Sequence, residues 1–87
     1  MSELPQPDPN IKWIVYGSDI CPFCNKAKEY LQNKNQKYTY IDITKYQDSR
    51  ELLKKMTDGY RTIPVIYKNG KFIGGYSDLC ELDINDK

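Results

Sequence analysis

Residues 19–27 read Asp-Ile-Cys-Pro-Phe-Cys-Asn-Lys-Ala, or DICPFCNKA, and contain two of the three cysteines of this 87-residue chain. A short apolar run, KWIVY at residues 12–16, precedes them and is typical of a β-strand. Pro22 suits the first turn of a helix, because that turn does not need its N–H. An apolar stripe at helical spacing then continues to about residue 33. The cysteine pair is therefore predicted to lie where a first strand ends and a first helix begins.

Strand and helix patterns alternate along the next part of the chain. Residues 37–43, KYTYIDI, alternate in the manner of a half-buried second strand. Asp48 and Glu51 match a capping box and predict the start of a second helix that ends at Asp58-Gly59. The apolar face of this helix is expected to carry Leu52, Leu53 and Met56.

The C-terminal part predicts a hairpin and a last helix. Asn69-Gly70 between two apolar runs is a strong signal for a type I′ turn. Ser77-Asp78 can cap a short helix that carries Leu79 and Leu82. The order is β-α-β-α-β-β-α, so we expect an α/β fold in which a four-stranded mixed sheet is flanked by three helices.

The N-terminal residues 1–10, MSELPQPDPN, hold three of the five prolines and few apolar residues. This composition is typical of an extended, flexible tail. We therefore expect the chain to consist of a Pro-rich tail over residues 1–10 and one domain over residues 11–87.

The composition argues against several classes of function. A net charge of +1, from 13 basic and 12 acidic residues, offers no electrostatic argument for binding nucleic acid or a membrane. The chain has no apolar run long enough to cross a bilayer and no signal-peptide pattern. It also has no histidine, the commonest general base and metal ligand. Three cysteines are too few for a secreted disulfide framework, so we expect a cytoplasmic protein.

The predicted position of the cysteine pair indicates redox chemistry. The unpaired N–H groups of a helix start favour an anion, so Cys21 is expected to be the attacking thiolate. Cys24, one turn later, can close a small disulfide with Cys21 and expel a thiolate product. A structural zinc site would need four ligands, which a chain with three cysteines and no histidine does not supply. A staple across two residues would contribute little stability.

Two further stretches can be interpreted in two ways. Ile63-Pro64 is either the plain start of an edge strand or a cis peptide that exposes the Ile63 backbone to an extended peptide. Gly74-Gly75, before Tyr76, is either a plain strand-to-helix turn or a place where a ligand approaches the backbone closely. The residues alone leave both alternatives open.

Together, the segments CPFC, RTIP and GGYSDL resemble the active-site motifs of glutaredoxins, in order and spacing, over about residues 12–84. The resemblance implies a thioredoxin-like fold and a disulfide oxidoreductase that uses glutathione as cosubstrate and needs no metal. It implies that Cys21 is the nucleophile and Cys24 the resolving thiol. The residues that would contact glutathione are Phe23, Arg61, Thr62, Ile63, Pro64, Gly75, Tyr76, Ser77 and Asp78.

One position departs from the family pattern. Glutaredoxins usually have a lysine three residues before the nucleophile, where this chain has Ser18. We therefore expect a less stabilised thiolate and weaker glutathione binding than in a lysine-bearing relative. Lys54 or Lys55 could compensate, and Lys55 is the one we prefer. The remaining cysteine, Cys80, is expected to be a small buried residue on the last helix, with a regulatory or glutathionylation site as the alternative.

The family resemblance leaves rival functions open. The implied partners are glutathione and disulfide-bearing or glutathionylated proteins, and the protein is expected to be a monomer. Alternatively, it could donate electrons to one partner, such as ribonucleotide reductase, and be recharged by a thioredoxin reductase. A glutathione-ligated iron–sulfur module is a further alternative, against which Pro22 argues. A non-catalytic scaffold is the last.

Overall fold

A computed structural model describes residues 4–60 and 62–82. The strands and helices follow the predicted β-α-β-α-β-β-α order, with a short 3₁₀ turn at Ile43–Lys45. Their bounds are β1 Trp13–Gly17, α1 Pro22–Asn33, β2 Thr39–Asp42, α2 Ser49–Met56, β3 Val65–Lys68, β4 Lys71–Gly74 and α3 Tyr76–Glu81. The predicted four-stranded mixed sheet with three helices is confirmed. Among the described residues, no helix has the length and apolar character that a membrane span requires.

The sheet has the strand order β2-β1-β3-β4. Strand β1 pairs parallel with β2 and antiparallel with β3, which in turn pairs antiparallel with β4. All five residues of β1 are buried, because this central strand is covered on both faces. The C-terminal end of β1 therefore emerges from the middle of the sheet, and the cysteine pair follows it.

Alternate residues of β1 point into two apolar clusters, one on each face of the sheet. Leu53 of α2 packs in the cluster that contains Ile14 and Tyr16. Helices α1 and α3 cover the other face, where the buried residues are Trp13, Val15, Ala27, Leu31, Ile66 and Leu79. Helix α1 is thus held against the sheet by its apolar stripe, which fixes the position of its N-terminus.

The segment before β1 packs against the domain, which differs from the prediction of a flexible tail. Leu4 is only 2% exposed and belongs to the cluster around Ile14. The Tyr16 hydroxyl donates a hydrogen bond of 2.7 Å to the carbonyl oxygen of Pro5. Burial of one leucine side chain accounts for this packing, since it removes a large apolar surface from water.

The hairpin prediction is confirmed, whereas the two predicted helix caps are confirmed only in part, since Asp78 caps α3 and Asp48 makes no side-chain cap. Asn69 and Gly70 both have positive φ, 51° and 85°, as a type I′ turn requires. Asp48 adopts a left-handed conformation, and within the described part of the chain its carboxylate caps no backbone N–H of α2. The Ser49 hydroxyl instead ties the start of α2 to the carbonyl of Ile43, at 2.8 Å. Helix α3 begins at Tyr76 with Gly75 as its N-cap, two residues before the predicted N-cap Ser77.

Candidate functional site

Cys21 is the N-cap residue of α1, in extended conformation, and Pro22 occupies the first helical position. The Cys21 carbonyl oxygen accepts hydrogen bonds from the backbone N–H groups of Cys24 and Asn25, at 3.1 and 3.2 Å. Its own N–H donates to the carbonyl of Ser18, at 3.1 Å. The backbone around Cys21 is thus fixed at the junction that the sequence predicts, with its side chain beside the helix start.

The two thiols differ in exposure. Cys21 is half-buried, whereas Cys24 is completely buried. Burial, together with a hydrogen bond to Cys21, raises the pKa of Cys24 to about 12, although a hydrogen bond from the Ser18 backbone and the charge of Lys28 act in the opposite direction. Cys24 is therefore a thiol at neutral pH, and Cys21 is the sulfur that an incoming disulfide can reach.

The backbone of Ile63 lies opposite the accessible thiol. The Cys21 Sγ is 3.8 Å from the Ile63 carbonyl oxygen, at the range of a weak thiol hydrogen bond. The peptide bond between Ile63 and Pro64 is cis, as the second of the two interpretations of this segment requires.

A groove of about 280 Å³ lies beside this pair of residues, and we call it the central groove. It contains seven of the nine positions that the family resemblance implies for glutathione contact. The lining consists of Phe23, Tyr60, Thr62, Ile63, Pro64, Gly75, Tyr76 and Ser77. The rings of Phe23 and Tyr76 stand 5.9 Å apart between centroids at its rim. Arg61, the eighth position, lies outside the described residues.

Asp78, the ninth position, does not line the central groove. Its Oδ2 accepts a hydrogen bond of 2.9 Å from the backbone N–H of Gly75, so it caps the start of α3. The same carboxylate lies tight against Gly74, where a side chain would collide with it. The structure therefore gives Asp78 a local role that the comparison with family motifs did not include, namely holding the Gly74-Gly75 turn in place.

A second cavity, of about 310 Å³, adjoins the central groove and shares Tyr60, Thr62 and Ile63 with it. We call it the basic cavity, because Arg50 and Lys54 of α2 line it. Of the two lysines considered for this role, Lys54 lines the basic cavity and the preferred Lys55 does not. The spacing of four residues predicts that Arg50 and Lys54 share one face of α2, but it does not predict which site that face borders.

The third cysteine was predicted to be buried, and this prediction is wrong. Cys80 is exposed, since the short helix α3 turns Leu79 inward and its neighbour to the solvent. A hydrogen bond with Cys80 raises the pKa of the Tyr76 hydroxyl, followed by a smaller effect of burial. Cys80 thus lies close to one wall of the central groove. Within residues 4–60 and 62–82, three or more Cys, Asp or Glu side chains nowhere form a group able to hold a metal ion.

Comparison with known proteins identifies the family. The family model described as Glutaredoxin matches residues 14–73. Glutaredoxin 1 of Rickettsia typhi is 35% identical over 71 residues, which cover 80% of this chain and 68% of that protein. Glutaredoxin-1 of Vaccinia virus is 36% identical over 83 residues, which cover 88% of this chain and 76% of that protein.

Solved structures agree with this assignment. The crystal structure of a wheat glutaredoxin superposes with a TM-score of 0.77 at 28% identity, covering 87% of this chain and 74% of that one. The thioredoxin-like fold is therefore confirmed, and the Cys21–Cys24 pair occupies the junction between strand and helix in it. Accordingly, this chain belongs to the glutaredoxin family of thiol–disulfide oxidoreductases.

Proposed function

We propose that this protein is a glutathione-dependent oxidoreductase that reduces protein disulfides and glutathione mixed disulfides through Cys21 and Cys24. The observation that carries the proposal is the position of Cys21. Its accessible sulfur faces the Ile63 carbonyl at 3.8 Å, beside a groove with room for a short peptide. The Cys24 thiol is buried and makes a hydrogen bond with Cys21.

The first step is attack of the Cys21 thiolate on the substrate disulfide. A bond forms between Cys21 Sγ and one substrate sulfur, the substrate S–S bond breaks, and the other sulfur leaves as a thiolate. From a glutathionylated protein, Cys21 takes up the glutathionyl group and the protein thiol is released. A second glutathione then attacks this mixed disulfide, which gives glutathione disulfide and restores the Cys21 thiolate.

For a protein disulfide, Cys24 completes the reaction. Its thiolate attacks Cys21 Sγ of the mixed disulfide, so the Cys21–Cys24 bond forms and the substrate leaves with both sulfurs reduced. Two molecules of glutathione then reduce the Cys21–Cys24 disulfide. Only this second route needs Cys24, and this difference separates the two substrate classes experimentally.

The two cavities suit the two ends of glutathione, a short peptide with two carboxylates. In the proposed pose, the Ile63 backbone pairs with the cysteinyl part, as a sheet edge pairs with an extended peptide. The γ-glutamyl end lies toward Tyr76 and Ser77 in the central groove. The glycine carboxylate lies toward Arg50 and Lys54, whose positive charges favour it in the basic cavity.

The basic cavity is relevant to the missing lysine at position 18. Ser18 is only 5% exposed, and its hydroxyl accepts a hydrogen bond from the Ile20 N–H at 3.3 Å. A serine here leaves the anion-binding role to cations on α2. We propose that Arg50 and Lys54 supply it, with Arg61 as the further contact that the family resemblance implies.

Turnover of hydroxyethyl disulfide with glutathione, coupled to glutathione reductase, tests the proposal. Wild type should be active, Cys21→Ser should lose all activity, and Cys24→Ser should keep it, because this substrate forms a glutathione mixed disulfide. Reduction of a protein disulfide should require both cysteines. Activity that survives Cys21→Ser would contradict the proposal.

A second form of the assay, with a different reductant, tests how the protein is recharged. Replacing glutathione and its reductase by a thioredoxin reductase should give little turnover, since the two cavities are attributed to glutathione. Efficient turnover with thioredoxin reductase alone would favour the alternative, an electron donor to a partner such as ribonucleotide reductase. We also propose that the protein is cytoplasmic, because a dithiol donor needs a reducing compartment. We further propose that it is a monomer.

A further inference from the structure

Lys28 belongs to a charged cluster behind the cysteine pair that the proposed reaction does not yet use. Its Nζ lies 3.7 Å from Asp19 Oδ1 and 3.9 Å from the centroid of the Tyr40 ring. The Lys28 side chain is 24% exposed, so the ion pair and the cation–π contact hold it in a partly desolvated place. Lys28 follows Cys24 by four residues on α1, which puts both side chains on one face of that helix.

Tyr40 connects this cluster to the resolving thiol. Cys24 Sγ and Tyr40 Cε1 both lie against Gly17, at 2.5 and 3.4 Å from the position that a Cβ would take there. The Tyr40 hydroxyl is buried, and no side chain or backbone group among the described residues satisfies it by a well-formed hydrogen bond. The ring that carries the Lys28 ammonium on its face thus borders Cys24.

We propose that Lys28 is a positioning residue for the resolving step, in which its ammonium stabilises the Cys24 thiolate as it attacks the mixed disulfide on Cys21. This inference rests on the proposed dithiol function and deepens it. The cation that favours Cys24 lies on helix α1 and is distinct from the family lysine before the nucleophile, which this chain replaces by Ser18.

The groups that face Cys24 from each neighbouring element explain why Lys28 matters in this step. Burial and Cys21 oppose ionisation of Cys24, and the backbone of Ser18 and the charge of Lys28 favour it. Tyr40 faces it from β2 and stays a neutral phenol, because burial, and then the charge of Asp19, raise the pKa of Tyr40. Among the described groups acting on Cys24, Lys28 is the one cation.

The mixed disulfide changes this balance. Once Cys21 carries a substrate sulfur, it is no longer an anion, and its repulsion of a Cys24 thiolate disappears. The field of Lys28 remains. In the step, Cys24 loses its proton to the solvent, its sulfur forms a bond with Cys21 Sγ, and the substrate sulfur leaves with the electron pair of the broken bond. The cation therefore acts when the second thiol is needed.

Stopped-flow reaction with dithiobis-nitrobenzoate separates the two steps without glutathione. One nitrothiolate is released when Cys21 attacks and a second when Cys24 closes the disulfide, so one absorbance trace contains both phases. A Cys80→Ser background removes the exposed third thiol. Lys28→Met should slow the second phase about three- to tenfold at pH 7. The rate of this phase should also begin to increase only at a higher pH than in wild type. The first phase should stay unchanged.

Two variants serve as controls. Lys28→Arg keeps the charge and should restore the second phase. Lys34→Met removes a cation that lies 5.5 Å from the Tyr30 ring centroid at the opposite end of α1, and should leave both phases unchanged. An unchanged second phase in Lys28→Met, or an equal slowing of both phases, would overturn the inference. If wild type itself lacked a second phase, the dithiol function would fail instead, so the two failures are distinguishable.

Discussion

Cys21 and Ile63 face each other across the entrance of the central groove, with 3.8 Å between the Cys21 Sγ and the Ile63 carbonyl oxygen. This relationship joins residues 42 positions apart in the chain. It places the first sulfur of a substrate disulfide next to a backbone edge that can hold the chain on either side of that sulfur. Cys24 does not line this entrance, because its side chain is buried between α1 and the sheet.

Alkylation should reflect this division of roles. In the reduced protein at pH 8, iodoacetamide should label Cys21 and the exposed Cys80 at least about tenfold faster than Cys24, since only thiolates that are accessible react. Because the pKa of Cys24 is about 12, its thiolate fraction and its labelling rate should still rise as the pH increases from 8 to about 11. Peptide mass mapping over time measures all three rates.

Equal labelling of Cys24 and Cys80 at pH 8 would contradict the assignment of the resolving thiol. Labelling in urea is the control, because unfolding exposes all three thiols and should make their rates similar. A difference that persists in urea would have to come from local sequence rather than from the fold.

Two substitutions of Asp78 separate its capping role from a role in binding glutathione. Asp78→Ala removes the acceptor for the Gly75 N–H, and should lower the free energy of unfolding by about 1 kcal/mol. Asp78→Asn keeps an acceptor oxygen and should lower the free energy of unfolding by only about 0.3 kcal/mol, but it removes the negative charge. If the carboxylate also holds the amino group of glutathione, both variants should raise the KM for glutathione about fivefold.

Urea unfolding and glutathione-dependent turnover measure the two effects separately. Ser77→Ala is a matched control for the unfolding measurement alone, since no cap depends on its side chain among the described contacts of α3. An unchanged KM in Asp78→Asn, combined with a loss of stability in Asp78→Ala, would restrict Asp78 to capping.

Local signals in the sequence were sufficient for most of the fold. Asn69-Gly70 forms the predicted turn because only such residues adopt two consecutive positive φ angles easily. The position of Cys21 follows from a strand signal, a proline and an apolar stripe, all within 22 residues. The Asp48 side chain makes no cap because Asp48 is left-handed rather than extended, and the Ser49 hydroxyl instead binds the Ile43 carbonyl on the 3₁₀ turn. That contact depends on the packing of α2, which no local pattern contains.

The rest of the site depended on tertiary contacts. Pro64 and Tyr76 could be matched to family motifs, yet Arg50 and Lys54 entered the site only because α2 packs beside Ile63. Lys28 likewise approaches Cys24 through a ring on β2. Its spacing from Cys24 predicts a shared helix face, but its contact with Tyr40 on β2 cannot be predicted from the sequence of α1 alone.

Leu4 provides a test of the N-terminal packing. Its side chain is only 2% exposed, in the cluster with Ile14 and Tyr16. Leu4→Ala should therefore lower the free energy of unfolding by about 2–3 kcal/mol, the lower part of the range for a buried leucine. Gln6→Ala, on the exposed side of the same segment, should have an effect below about 0.5 kcal/mol. Urea unfolding measures both, and an unchanged stability in Leu4→Ala would favour the flexible tail that the composition predicts.

Gly17 tests the close contact between the central strand and the resolving thiol. A Cβ at this position would meet Cys24 Sγ at 2.5 Å and Cys24 Cβ at 3.0 Å. Gly17→Ala should therefore cost about 1–3 kcal/mol of unfolding free energy in the reduced protein, because it overpacks a buried site. In a Cys24→Ala background the nearer contact is gone, and the same substitution should cost clearly less.

The difference between the two backgrounds is the coupling free energy of a double-mutant cycle, and we expect it to exceed about 0.5 kcal/mol. Urea unfolding of the four proteins under reducing conditions gives this value. Equal costs of Gly17→Ala in both backgrounds would mean that Cys24 does not press against β1. The account of Cys24 as a thiol held between helix and sheet, bordered by the ring of Tyr40, would then be wrong.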